Sequence, residues 1–400
     1  MTAMDYIIVA LTLLLGVFSA WFALVSVFCI FKSKRIAQAQ PQTRFACLIA
    51  ARNEQNVIAE IVNSLKAQSY PGDLCDIFVI PNNCTDDTES RARDAGAHII
   101  HCPSGVRCKG DALRTAMDKL KNENYDVYCV FDADNVVDPG FLAAMNNAFC
   151  AGARVAKGAI KVKNPYDSAI SGCYGLYFAL FDTFFSRPRM TLKLSSKLVG
   201  TGFAVRREVI ELIGGWNTKT LAEDAEFSAT CVTKGERVWF VSDAVTRDEA
   251  PLDFKTTLIQ RRRWCSGLMD VAKVCLGALL ASFFKKPTFK KWDMIAFLCY
   301  PYAYVLSLIP VVMSVITAAV EREFLSYIIM ESVQLALAYL ACAVFGVLLA
   351  WLAGMRSIRA LPSILMFPIF MASWLPLQVL SFFCRERRWR PIAHGIVNKK

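Results

Sequence analysis

Histidine is scarce in this 400-residue chain: His98, His101 and His394 are its only three. So few scattered imidazoles cannot build a zinc-centred chemistry, whose ligands are clustered His and Cys. Cysteine is present but unpaired in pattern. The fifteen cysteines are odd in number, run from Cys29 to Cys384 and include no CxxC pair. That excludes a disulfide framework and fits reduced thiols in a cytosol-facing protein. Charge is thin as well, at 20% of residues, where a soluble chain carries about 25%. No internal repeat or low-complexity stretch is evident.

What the chain has in excess is apolar surface. Hydrophobic residues make up 55%, with Phe 27, Trp 8 and Tyr 12, too many aromatics for a disordered chain. The excess is gathered in blocks, which rules out one large soluble domain. Lys+Arg 45 against Asp+Glu 34 leaves a net charge of +11, suited to anionic lipids, nucleotides or nucleic acid. The basic residues sit mainly beside the apolar blocks, which disfavours nucleic acid. These features describe a membrane protein with a polar middle.

Residues 6–31 carry no charge, a run long enough to cross a hydrocarbon core of roughly 30 Å as a helix. The run is too long for a cleaved signal peptide, and Asp5 rather than a basic cluster precedes it. Lys32, Lys34 and Arg35 follow, so the positive-inside rule sets the N-terminus outside and the next residues in the cytoplasm. Residues 1–35 thus read as an N-terminal transmembrane helix. From 42 to 253 the texture is α/β. Strand-like runs FACLIAA (45–51), DIFVIP (76–81), DVYCVFD (126–132) and VWFVSD (238–243) alternate with helical stretches at 54–68 and 110–122. This predicts a mostly parallel sheet flanked by helices, with ligands gathered beyond the carboxyl ends of the strands.

Residues 254–286 start basic, turn apolar and close on Lys285-Lys286, the pattern of amphipathic helix lying in the membrane interface. Apolar blocks at 294–320, 327–353 and 361–384 make a C-terminal membrane region over 291–384. Pro362, Pro368 and Pro376 leave the last block free to span with kinks or to be re-entrant. If every block outside the interfacial segment crosses, four spans export the C-terminus. The tail 385–400 is strongly basic, however, which predicts the inside.

Four signals carry chemistry. Asp132-Ala133-Asp134 ends the strand VYCVF, where one acid can orient a nucleoside and the other bind Mg²⁺ or Mn²⁺ shared with a diphosphate; a plain acidic turn reads the same way. Glu223-Asp224 opens a helix, where acids usually cap, but Asp224 could instead act as a general base. Gln260-Arg261-Arg262-Arg263-Trp264 is either a snorkelling basic face or a clamp, with Arg263 on a departing diphosphate and Trp264 under an acceptor sugar. Gly200-Thr201-Gly202 permits close backbone approach to a ligand, or a simple turn. Lys109-Gly110 puts a cation near phosphate, or is an ordinary loop.

In this order the signals are specific. AARNE (50–54), NNCTDDT (82–88), KGDAL (109–113), DAD (132–134), GTG (200–202), AED (222–224) and QRRRW (260–264) resemble the motifs of membrane-integrated family 2 glycosyltransferases, the cellulose, chitin, hyaluronan and poly-N-acetylglucosamine synthases. The resemblance implies a GT-A-type fold, a catalytic domain on the cytosolic side of the plasma (inner) membrane, and an inverting transfer from a UDP-sugar to a growing β-linked polysaccharide. A lipid acceptor given a single sugar is the alternative, and a non-catalytic membrane scaffold a more distant one. By the same resemblance Arg52, Glu54, Asn82, Lys109 and Asp132 bind nucleotide and Asp134 binds metal. Asp224 is the base, while Gly200, Thr201, Gly202, Glu223, Gln260, Arg263 and Trp264 hold diphosphate and acceptor. Accessory subunits or self-association would serve export. Asn82 departs from the usual Asp, with Asp86 or Asp87 near enough in sequence to compensate, and Ala222 replaces a frequent Thr.

Overall fold

The computed structural model describes residues 3–31, 35–106, 108–320 and 322–386. Lys32, Lys34 and the tail from 387 onward lie outside the described residues.

Eight strands form one sheet: β1 (Phe45–Ala51), β2 (Cys75–Pro81), β3 (His98–Ile99), β4 (Val127–Asp132), β5 (Val136–Val137), β6 (Val155–Val162), β7 (Phe203–Arg206) and β8 (Val238–Asp248). Their order is β3-β2-β1-β4-β7-β6-β8-β5. The half around β1 is parallel, while β7 runs antiparallel to both neighbours and β5 antiparallel to β8. Central strands β1 and β4 are near-continuous apolar runs because both of their faces are covered. On one side lie α2 (Ile58–Lys66), α3 (Thr88–Asp94) and part of the sheet's layer with Phe131 and Phe149. On the other lies α4 (Lys109–Leu120). Helix α5 (Phe141–Cys150) completes the first layer. Four expected strands are present, and β8 runs on to Asp248, with a register shift opposite Gly158/Ala159. Strand β6 was not foreseen because Lys157 interrupts its apolar run. Burial of that ammonium, 1% exposed, is compensated by Asp182 at 2.9 Å.

After β6 come α6 (Ala169–Leu180), a π-helical turn (Phe181–Ser186) that carries Asp182, and α7 (Arg187–Thr191). Helices α8 (Arg207–Ile213) and α9 (Glu223–Thr233) follow and share the α4 layer through Val209, Ile210 and Phe227. Outside this domain are α1 (Ala3–Val27), α10 (Phe254–Lys285), α11 (Phe289–Leu306), α12 (Leu308–Val320), α13 (Phe324–Ala353), α14 (Leu361–Ala372) and α15 (Trp374–Phe383). Among the described residues, five helical stretches are long and apolar enough to cross a membrane by length and composition: Tyr6–Ile30, Phe254–Lys285, Phe289–Val320, Phe324–Leu352 and Ile358–Phe383. The expected interfacial segment is thus a single continuous helix, α10.

These stretches relate differently to the domain. Helix α1 reaches it near its C-terminal end, where Ser26 Oγ donates to Phe184 O at 2.9 Å. Near the start of α11, Asp293 takes both Arg189 nitrogens at 2.8 Å and Trp21 Nε1 at 2.9 Å. Helix α10 instead touches the domain at both ends. Tyr174 Oη donates to Gln260 Oε1 at 2.5 Å, and Ser282 Oγ donates to Thr233 O at 2.8 Å. The α14–α15 pair, broken at Ser373, is held to the domain near its start and to α10 at its other end. Cys173 Sγ meets Ser363 O at 3.4 Å near its start, and Glu386 N donates to Ser266 Oγ at 3.0 Å just past its end.

Candidate active site

The carboxyl ends of β1, β2 and β4 open on one crevice. The turn after β1 is fixed by Asn53 in the left-handed region, φ 57°, with its Oδ1 accepting from Thr85 N at 2.8 Å. Asp86 stitches this turn to the next loop, accepting from Gln55 N at 3.2 Å and from Thr88 N at 3.1 Å. Burial opposes its charge, but the Thr88 bonds prevail and hold its carboxyl below the ordinary range. Asp86 is therefore engaged in building the loop, and Asp87 is exposed. Asn82 is buried at the end of β2, with its Oδ1 accepting from Asn83 Nδ2 at 3.0 Å.

Glu54 extends from the β1 turn toward the DAD acids. Burial first, then the charges of Asp134 and Asp132, push its carboxyl up to about 8. Asp248, at the end of β8, is raised well above the ordinary range, by burial first and then by Asp134 and Asp132. Asn135 bridges this acid group: its Nδ2 donates to Asp134 at 3.3 Å and to Asp248 at 3.0 Å. The Asn135 Oδ1 accepts from the Thr201 hydroxyl, and that hydroxyl oxygen accepts from Asp132 N at 3.0 Å. Thr201 thus locks the Gly-Thr-Gly loop to the DAD turn.

Lys109, first residue of α4, donates to Asp132 Oδ1 at 2.5 Å and to Gly200 O at 2.6 Å. Burial disfavours its charge, yet Asp132, Glu223 and Asp224 outweigh that and raise its ammonium. Gly200 N donates to Asp224 Oδ2 at 2.7 Å, while Asp224 Oδ1 takes Ala225 N at 2.7 Å. An unbroken chain of contacts therefore runs from Asp132 through Lys109 and Gly200 to Asp224. Gly200 and Gly202 have φ of 56° and 61°, a region glycine enters without the Cβ penalty. At Gly202 a Cβ would also lie 2.8 Å from Thr246 Oγ1. Glu223 is buried beside Asp224; burial lifts its carboxyl to about 7 despite Lys109.

Arg263 faces Glu223, Asp132 and Asp224 across the crevice. Gln260 is oriented by the Tyr174 hydroxyl, which also lies 2.7 Å from Thr257 Oγ1. Trp264 lies edge-on to Tyr174, with centroids 6.2 Å apart, and stacks with Trp374 of α15 at 6.3 Å. The crevice thus gathers the nucleotide-side residues, both DAD acids, the Gly-Thr-Gly loop, Asp224 and the QRRRW helix. Arg52 stands at its rim, half-buried. Sequence reasoning missed Asn135, Asp248, Tyr174, Lys197 and Trp374. Lys197 lies near Asp224, with its Nζ 5.9 Å from the Phe181 centroid and 5.6 Å from that of Phe297; burial lowers its ammonium against the pull of Asp224. Only Asn135, directly after the DAD, carried a local signal.

The acids also bear on a metal. Among the described residues no group of three or more His, Cys, Asp or Glu forms a ready cage. Asp134 and Asp132 nevertheless lie near enough to push the carboxyls of Glu54 and Asp248 up. A hard cation held by one or two of them and completed by substrate phosphates fits such a donor set.

Comparison with known proteins bears on the same residues. The sequence model for the family described as "Glycosyltransferase like family 2" matches residues 41–267. The probable glycosyltransferase YdaM of Bacillus subtilis is 29% identical over 60% of this chain and 58% of its own length. The beta-monoglucosyldiacylglycerol synthase of Synechocystis is 25% identical over 58% of this chain and 49% of its own length. The chain therefore spans about half the length of these curated relatives. In fold it is similar to the mannosyltransferase PcManGT of Pyrobaculum calidifontis, solved with GDP-Man and Mn²⁺. That likeness has a TM-score of 0.64 at 18% identity and covers 93% of this chain and 99% of the other. The chain belongs to the family 2 glycosyltransferases.

Proposed function

We propose that the protein is an integral-membrane, inverting glycosyltransferase that moves a hexose from a UDP-sugar to a hydroxyl presented at the inner face of the membrane. The observation that carries this is the contact chain Asp132–Lys109–Gly200–Asp224 with Arg263 opposite. Asp224 takes the proton of the attacking hydroxyl, its carboxylate oriented by the Gly200 and Ala225 amides. Attack opposite the diphosphate inverts an α-linked donor to a β-linkage. Arg263 and Lys109 bring positive charge to the departing diphosphate, the electrostatic role that usually dominates such catalysis. Asp134, with Asp248 or Glu54 near it, would hold a divalent Mg²⁺ or Mn²⁺. A bound cation would neutralise charge growing on the leaving group. Arg52, Glu54 and Asn82 border the nucleotide end of the crevice.

Two acceptors suit this reaction: a growing β-linked polysaccharide and a membrane lipid. The lipid is favoured by the aromatic roof over QRRRW. Tyr177 stacks with Trp374 at 5.6 Å, Trp374 with Trp264, and Tyr174 packs on Phe370 at 5.4 Å, so α14 and α15 cover this segment with apolar and aromatic surface that suits a lipid. A relative named for a diacylglycerol product accords with it. We further infer that only α1, α11–α12 and α13 cross the membrane, while α10 and α14–α15 lie along it: α10 is bound to the domain near both ends, and α14–α15 is bound to the domain near its start and to α10 just past its end. Three crossings return the basic tail to the side of the domain, as the positive-inside rule requires.

The test is UDP release and product sizing with purified protein, labelled UDP-sugar and Mn²⁺ or Mg²⁺. A one-sugar lipid supports the reading and a long polymer restores the polysaccharide acceptor. UDP release unaffected by Asp224→Asn would remove the base assignment.

A further inference from the structure

Arg261 lies inside QRRRW but takes no part in the crevice described above. Its side chain is fully buried, at 0% exposed. Nη1 donates to Phe370 O at 2.7 Å and Nε to Thr257 O at 3.4 Å. The guanidinium lies 4.0 Å from the Phe370 ring centroid and 5.3 Å from that of Trp374. Its charged surroundings are unusual: the titratable groups that face it are Tyr174, Tyr177, Cys173 and Cys265, none of them an acid. Arg263, two residues on, faces three carboxylates instead. The two arginines therefore address different ligands, and the donor diphosphate belongs to Arg263.

The seam between α10 and α15 holds further unmet donors. Among the described residues, Arg261 Nη2, Arg262 Nε, Trp374 Nε1 and Gln378 Nε2 are buried without an acceptor. Gln378 is 7% exposed and stands one helical turn beyond Trp374. Every unmet atom among these four is a donor, and two belong to permanent cations, Arg261 and Arg262. Buried donors and charges are costly unless paired, so this set suits a ligand that is anionic and offers only acceptors. A phosphate has that chemistry, and Arg matches its geometry. The outward face of α15 is apolar and open, with Leu380 51% and Phe383 75% exposed, which gives acyl chains a surface beside the same seam.

We propose that Arg261, Trp374 and Gln378 form a phosphate subsite for the acceptor, so that the lipid glycosylated at Asp224 carries a phosphate in its head group. This rests on the lipid-acceptor reading above and narrows it. Trp264, stacked on Trp374 and three residues from Arg261, would lie between this subsite and the sugar end of the acceptor.

The experiment uses the full chain in maltoside micelles, which contain no phosphate, with phosphatidylglycerol or diacylglycerol as acceptor. Wild type is expected to show a KM for phosphatidylglycerol at least about tenfold below that for diacylglycerol, the scale of one hydrogen bond to a charged group. Arg261→Met collapses that ratio toward one, and Arg261→Lys keeps part of it. Gln378→Leu, which removes no charge, reduces the ratio about threefold and covers the case in which Arg261→Met fails to fold. Native mass spectrometry reads binding separately: wild type retains one phosphatidylglycerol and Arg261→Met loses it. Equal KM values for the two lipids in wild type, or unchanged ratios in Arg261→Lys and Gln378→Leu, overturn the subsite. Displacement of phosphatidylglycerol by equimolar inorganic phosphate also overturns it, because the ligand would then be a free anion. If UDP release persists with either lipid, those outcomes leave the transferase reading standing; absence of UDP release with every acceptor brings that reading down instead.

Discussion

Arg189 and Arg261 are two buried guanidinium groups on the membrane side of the domain, and they are completed in opposite ways. Arg189, 1% exposed, is held by both oxygens of Asp293, which also accepts from Trp21, so α7, α11 and α1 meet on one ion pair. Arg261 has backbone carbonyls and aromatic faces but no acid. A buried cation with its own carboxylate is finished within the fold and holds helices together. One lacking a carboxylate is finished by something the protein binds. Lys157 belongs to the first kind through Asp182, and Lys197, set between two rings near Asp224, belongs to the second.

The largest effect that tests this contrast is at Asp293. Asp293→Ala strands a guanidinium that is 1% exposed, and removing one partner of a buried pair costs about 3–5 kcal/mol. Thermal unfolding in micelles should show a drop in Tm much larger than for any substitution at Arg261. A smaller drop at Asp293 would mean that the ion pair does not hold the helices.

Lys197 comes next. Lys197→Met removes one of the cations whose charge acts on the proposed base and keeps most of the side-chain volume. Turnover is expected to fall about tenfold, equivalent to about 1.4 kcal/mol of barrier, and the acid limb of the activity–pH profile moves to higher pH. Unaltered turnover and pH profile would return Lys197 to the structural class.

How much of this was legible in the sequence follows from the range of the interactions involved. Strands β1, β2 and β4 announce themselves because central parallel strands are apolar on both faces. Most motif residues of the sheet domain lie at or beside a strand or helix end, where local order along the chain already points to one crevice, whereas Gln260, Arg263 and Trp264 lie within α10. Strand β6 was hidden because Lys157 breaks its apolar run, and only the distant Asp182 explains why that lysine can be buried there. Asn82 reads as a nucleotide contact from its place in the motif, and the bond that its Oδ1 accepts from Asn83 had no signal in the sequence. The roof over QRRRW was not legible at all. Trp374 and Gln378 lie in a proline-rich apolar block whose composition fits a crossing helix as well as one folded back on the domain. Nothing within residues 361–384 names Arg261 as the neighbour.

A third prediction reverses the sign of the first. In micelles free of phospholipid, Arg261→Met removes an unpaired buried cation and leaves Phe370 O with the Ser373 hydroxyl at 2.7 Å. The substitution should therefore be neutral or stabilising by about 1 kcal/mol. Adding phosphatidylglycerol should raise the Tm of wild type and not of the variant, since a ligand that binds only the folded site stabilises it by mass action. Strong destabilisation by Arg261→Met without lipid would put Arg261 in the same class as Arg189.

The smallest effect separates pairing from packing at the first arginine. Arg189→Met combined with Asp293→Leu deletes both charges together and keeps apolar volume between Phe185, whose ring centroid lies 3.5 Å from the guanidinium, and α11. A buried pair exchanged for apolar residues is often neutral, so the double variant should lie within about 1 kcal/mol of wild type although Asp293→Ala alone is severe. Trp21 Nε1 loses its acceptor in both variants, so that loss cancels between them and sets the floor of the double variant's deficit against wild type. If the double variant is as unstable as the single one, Asp293 matters chiefly as the acceptor for Trp21, and the join between α1 and α11 rests on that bond rather than on charge.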